Sequence, residues 1–210
     1  MVKQEIIFWR YLFKTRYGLL LFPLILTLLA VWLKSFNADL SNQLLIYIVF
    51  PVMLFPVVAS LYQIGSINHK ELLLTYPLNA FFVGWIRPVL LSLVYSAVYT
   101  AALRDMGNYS AEELGLAFTS AVFYMILSSF FLIFFKNIAL GIVLPLAYLF
   151  FGMFTTGTGQ GFLYLMQWNR ANPNLSLQSC MVTQAAVALI FSLGALYFLK
   201  RRNVYHWTSL

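Results

Sequence analysis

The sequence predicts an all-α integral membrane protein, and three observations carry that prediction. Hydrophobic residues make up 62% of the 210 and charged residues 9%, against roughly 25% charged in a soluble domain. The mean hydropathy is +0.83, so there are too few charges to cover a water-facing surface. The apolar residues fall into long uncharged runs joined by short polar turns, the pattern of helices that cross a bilayer with about 20 residues each. An aromatic share of 18% suits a chain with two water–lipid interfaces to anchor.

Residues 1–16 read as an amphipathic helix in the headgroup plane. Lys3, Glu5, Arg10, Lys14 and Arg16 alternate with Ile6, Phe8, Trp9, Leu12 and Phe13, the composition of an interfacial segment. The charged part is too long for a signal-peptide n-region, and no A-x-A site follows. Six spans follow, at about 17–33, 44–64, 80–103, 114–135, 138–156 and 181–199, in one domain covering 1–210. Pro23 predicts a kink in the first span, and Pro51 with Pro56 a bend in the second. Residues 34–43 and 104–113 read as polar loops. Lys136-Asn137 reads as a tight turn, and residues 162–180 as one or two short interfacial or re-entrant helices.

An even number of spans puts both termini on one side. With the termini inside, the inner basic residues are Lys3, Arg10, Lys14, Arg16, Lys70, Arg87, Lys136, Lys200, Arg201 and Arg202; the outer ones are Lys34, Arg104 and Arg170. Ten against three predicts cytoplasmic termini by the positive-inside rule. The net charge of +7 is thereby accounted for by loop charges, and no basic cluster on a soluble domain points to nucleic acid. The lone Cys180 excludes an internal disulfide and a multi-cysteine metal site.

The spans contain no carboxylate, although proton- and ion-coupled carriers usually place one in the membrane. Thr27, Gln63, Ser96, Thr100, Ser128, Ser129 and Gln184 are the hydroxyls and amides there, residue types that hold helices together. The two histidines, His69 and His206, form no H-E-x-x-H, and no G-x-x-x-x-G-K-[ST] loop is present. The chain therefore has no ATP site of the P-loop type, and if it drives transport the energy enters through another polypeptide. Arg87 is the one charge inside a span: it either snorkels to headgroups or meets a partner in a pathway or between helices, with Ser96 and Thr100 as polar neighbours on the same span. Arg87-Pro88 marks a local break.

Between the second and third spans lies Asn68-His69-Lys70-Glu71-Leu72-Leu73-Leu74-Thr75-Tyr76-Pro77-Leu78-Asn79. As a helix over 67–76 it puts Asn68, Glu71 and Thr75 on one stripe and Leu72, Leu73 and Tyr76 on another, and Pro77 then opens the next helix. Pattern alone leaves a working amphipathic helix and a plain interfacial turn equally open.

Glu71-Leu72-Leu73-Leu74-Thr75-Tyr76-Pro77-Leu78 resembles the coupling helix of type-2 ABC exporter permeases. In that family an elbow helix precedes six spans, and short outer helices lie between spans five and six. The loop before Glu71 is shorter here, and a lone Lys70 stands where the family has more basic residues. The resemblance implies that Asn68, Lys70, Glu71, Leu72, Leu73 and Thr75 contact a separate ABC ATP-binding subunit, which binds the ATP and magnesium. It implies a transport subunit, not an enzyme, that holds no cofactor of its own. It also implies a second permease subunit as partner in the lipid bilayer, and export of a hydrophobic or amphipathic peptide, antibiotic or lipid across a bacterial plasma membrane. Two other readings stay open. One is a vitamin-capturing subunit of an energy-coupling importer, whose A-x-x-x-A motif residues 17–33 lack. The other is a scaffold or sensor in peptide immunity.

Overall fold

The computed structural model describes residues 2–65, 79–154, 161–169 and 175–201, with side chains from residue 5 onward. Among them the secondary structure is helical, with no strand. Helix α1 is Val2–Thr15 and α2 is Tyr17–Leu33. Helices α3 (Ala38–Gly65), α4 (Phe82–Met106), α5 (Ala111–Phe135) and α7 (Leu177–Lys200) are each long and apolar enough to cross a membrane. α1 and α2 meet at a bend of 70°, and counted together they make a fifth candidate. α6, Ile138–Phe154, is apolar and 17 residues long. Such a set is consistent with a multi-pass membrane protein.

Helix ends reach further into polar sequence than the hydropathy pattern predicts. The expected loop 34–43 shrinks because the Asn37 side chain accepts the Leu40 N–H at 3.0 Å and starts α3 at Ala38. Such a cap supplies a partner for an otherwise unpaired first-turn donor. The expected loop 104–113 narrows to 107–110. Gly107, at φ +77°, ends α4 in the left-handed region that glycine tolerates. Ser110 and Glu113 then form a reciprocal capping box, at 3.3 and 2.7 Å, that opens α5.

α2 runs unbroken through Pro23. The 70° bend falls at Arg16 instead. Leu12, Leu20 and Ala59 form a small core there that holds α1 against α2 and α3. The bend expected from Pro51 takes the form of a π-helical turn, Leu45–Val49, with a further break at residues 53–54. A second π-turn, Phe82–Ile86, stands before Pro88. A proline ring clashes with the carbonyl four residues back and offers no N–H. In each case the residue just before the proline bonds five residues back: Phe50 N–H to Leu45 O and Arg87 N–H to Phe82 O. The wider turn makes room for the ring.

α5 is the central post, packed by α3, α4, α6 and α7. Its polar side chains bind its neighbours. Tyr124 Oη donates to Pro51 O at 3.0 Å, Ser128 Oγ to Gly141 O at 2.6 Å, and Ser120 Oγ to Gln184 Oε1 at 2.7 Å. α4 reaches α2 through Tyr95 Oη, which donates to Leu20 O at 2.7 Å. The close approach of α6 to α5 requires glycine at 141, where a Cβ would lie 2.6 Å from Leu132 Cβ.

The described part of segment 162–180 departs from the expected short helices. Residues 161–169 are a series of turns, and Leu177–Cys180 form the first turn of α7. Buried non-helical backbone needs partners inside a membrane protein. Gln184 Nε2 supplies them by donating to Phe162 O at 3.3 Å and Tyr164 O at 3.0 Å. Trp168, 1% exposed, plugs the same end against Phe50, Tyr99 and Tyr109.

Candidate functional site

The site begins with an acid and a base far apart in sequence. Glu5 lies in the first turns of α1. Arg87 leaves the second π-turn and enters the regular part of α4. Arg87 Nε donates to Glu5 Oε2 at 2.9 Å and Nη2 to Glu5 Oε1 at 2.8 Å. This is a two-point pair, the geometry in which guanidinium and carboxylate bind most strongly. The Phe8 ring, one helical turn beyond Glu5, packs on the guanidinium with its centroid 3.3 Å from Cζ. Arg87 is 7% exposed, so the pair is shielded from bulk water and its charges are mutually neutralised. Arg87 thus has an interhelical partner, Glu5 of α1.

The bend at Arg16 is what turns α1 back to reach α4. The Arg16 guanidinium caps the bend by lying 3.6 Å above the Tyr62 ring of α3. Trp85, two residues before Arg87, donates from Nε1 to Ser192 Oγ of α7 at 3.2 Å. Gly84 admits Leu199 of α7, whose Cδ2 lies 2.9 Å from where a Cβ would stand. The π-turn of α4 is therefore held on one side by α1 and on the other by α7.

Ser96 and Thr100 do not join Arg87. Ser96 is fully buried about 13 Å further along α4, and its hydroxyl has no hydrogen-bond partner among the described residues. Thr100 Oγ1 donates to Ser96 O at 2.8 Å, a bond within its own helix. Asn68, Lys70, Glu71, Leu72, Leu73 and Thr75 lie outside the described residues, as do Arg170 and Arg202. Among the described residues no group of three or more His, Cys, Asp or Glu side chains could hold a metal ion.

Two features were unread in the sequence. One is the pairing of Glu5 with Arg87, whose only prior signal was an isolated charge in an apolar run. The other is the opposite end of the bundle. There Lys34 Nζ pairs with Asp105 at 3.0 Å, Tyr109 Oη donates to Asn42 Oδ1 at 2.8 Å, and Gln178 Nε2 donates to Glu112 Oε1 at 3.1 Å. Burial pushes the Tyr109 phenol above its ordinary pKa, and Glu113 and Tyr47 add to the rise. The phenol thus stays a neutral donor.

Fold and site together define a class: an all-helical chain with several bilayer-length apolar helices and a charge-clamped N-terminal helix. Comparison with protein families, curated proteins and solved structures found no match.

Proposed function

We propose that this chain is the permease subunit of a type-2 ABC exporter. It crosses a bacterial plasma membrane six times with both termini inside, and it is driven by ATP hydrolysis in a separate subunit. α2 and α6, at 17 residues each, complete the six crossings. The cargo is hydrophobic or amphipathic.

The observation that supports this reading is the Glu5–Arg87 clamp. α1 is bent 70° from α2, as an elbow lying in the headgroups would be, and its acid grips α4 eight residues after Asn79. A push from an ATPase on residues 68–76 would enter α4 at its clamped foot and move elbow and span together. The apolar runs read as spans carry no carboxylate, which disfavours ion coupling.

The test is copurification with an ATP-binding subunit encoded nearby, followed by Glu71→Ala combined with Leu73→Asp. The expected result is an assembled complex whose ATPase runs without export. Full assembly and full export by the double variant would overturn the coupling role.

A further inference from the structure

We infer that the outward face of α1 is a binding surface for anionic phospholipid, with Arg10 and Lys14 as the contacts to its phosphates. The inference needs a bilayer around the helices but not the transport reading.

α1 spends one face on the rest of the chain. Glu5, Phe8, Leu12 and, just past the helix end, Arg16 recur at helical spacing, and each has a partner. Arg87 meets Glu5 and Phe8, Leu20 and Ala59 meet Leu12, and Tyr62 meets Arg16. At about 100° per residue, Arg10 and Lys14 stand about 140° and 180° round the helix from Glu5. Both are exposed. Neither forms an ion pair, hydrogen bond or ring contact with a described residue.

Four large apolar side chains frame those cations. Ile6 and Phe13 flank them on one side and Ile7 and Tyr11 on the other, and each of the four is at least 50% exposed. Water suits the cations but not the frame, and hydrocarbon suits the frame but not the cations. The boundary between headgroups and acyl chains supplies both. There a long basic side chain lays its stem on apolar surface and raises its charge to the phosphates. The 70° bend at Arg16 puts α1 at that boundary: with α2 crossing the bilayer, α1 runs along its surface.

Charge complementarity selects the lipid. Glu5 is the one acid in the sequence of α1, and Arg87 neutralises it. The other described acids, Asp39, Asp105, Glu112 and Glu113, belong to the opposite end of the bundle. Arg10 and Lys14 therefore have no counter-charge among the described residues. An anionic phospholipid brings one net negative charge per headgroup, whereas a zwitterionic one brings a cation beside its phosphate. An acidic protein surface would answer the two charges only if it also covered the four apolar side chains around them.

The experiment places a fluorophore on the proposed face, at Ile7→Cys in the Cys180→Ala background, with the whole chain in phosphatidylcholine nanodiscs. Phosphatidylglycerol or phosphatidylcholine, brominated in the acyl chains, is added at equal mole fraction as quencher. Phosphatidylglycerol should quench more strongly. Its preference over phosphatidylcholine should fall about fivefold in Arg10→Gln and again in Lys14→Gln, the effect of one basic residue at an anionic membrane surface. Arg10→Lys combined with Lys14→Arg should keep the preference, and Arg104→Gln, exposed at the opposite end, should leave it unchanged. Equal quenching by the two lipids, a preference that survives Arg10→Gln with Lys14→Gln, or one that falls in Arg104→Gln would each overturn the assignment. So would a label that neither lipid quenches, the result expected if a protein covers this face. Should the labelled chain not fold, native mass spectrometry of the unlabelled chain decides, with the two lipids in competition. A preference for phosphatidylglycerol that is lost in Arg10→Gln with Lys14→Gln supports the surface, and one that is unchanged overturns it.

Discussion

Glu5 and Arg87 carry the largest consequence at the scale of single residues. Removing one member of a shielded, hydrogen-bonded pair strands the other charge, which typically costs about 3–5 kcal/mol. Glu5→Ala and Arg87→Ala are each expected to lower thermal stability in detergent. The double variant should lose less than their sum, with a coupling of at least about 1 kcal/mol in a double-mutant cycle. Simple additivity would mean that the pair does not hold α1. Gln184 gives a second case. Gln184→Leu leaves the Phe162 and Tyr164 carbonyls without their donor, and about 1–3 kcal/mol of stability should go with it. The polarity of Gln184 was visible in the sequence; its partners, some 20 residues upstream and 64 residues away at Ser120, were not.

Among the described elements, the apolar runs coincide with helices α2 to α7 and misjudge several of their ends. Hydropathy responds to side chains, but a helix ends where its backbone groups find caps. Asn37 and the Ser110–Glu113 box extend α3 and α5 into residues that read as loop. The S-x-x-E spacing at 110–113 was the available signal. The prolines at 51 and 88 announced irregularity, but not that it would be a π-turn rather than a kink. Residues 161–169 mislead for another reason. Their hydrophobicity comes from plugging an aromatic box, not from repeating along a helix. Close packing of α5 on α6 is testable by Gly141→Ala. The new methyl would sit 2.6 Å from Leu132 Cβ and 3.0 Å from its Cα, and overpacking of this kind costs about 1–3 kcal/mol. A melting temperature equal to that of the unaltered chain would show that the two helices can part without cost.

For the whole molecule, contacts sort the chain into two ends. Lys34, Asn42, Asp105, Tyr109, Glu112 and Gln178 gather at one. Glu5 with Arg87, and Gly65 with Ile138, mark the other. In the proposed topology, which rests on the positive-inside count, the second end faces the cytoplasm. With the buried Cys180 replaced by alanine, a cysteine at Asn108 should react with an impermeant maleimide on intact cells. One at Lys14 should react only after lysis. Equal labelling of both would reverse or break the proposed topology.

The π-turns also have a meaning in the arithmetic of the chain. Each is one residue more than its helix needs, so the segments on its two sides are offset by a single position. Deleting Val83 would remove that surplus from α4. The residues before the deletion would swing by about 100° relative to those after it, while Pro88 would again face a carbonyl four residues back. The spare residue of α4 sits just before the clamp at Arg87 and the ring of Pro88, so the deletion would strike both at once.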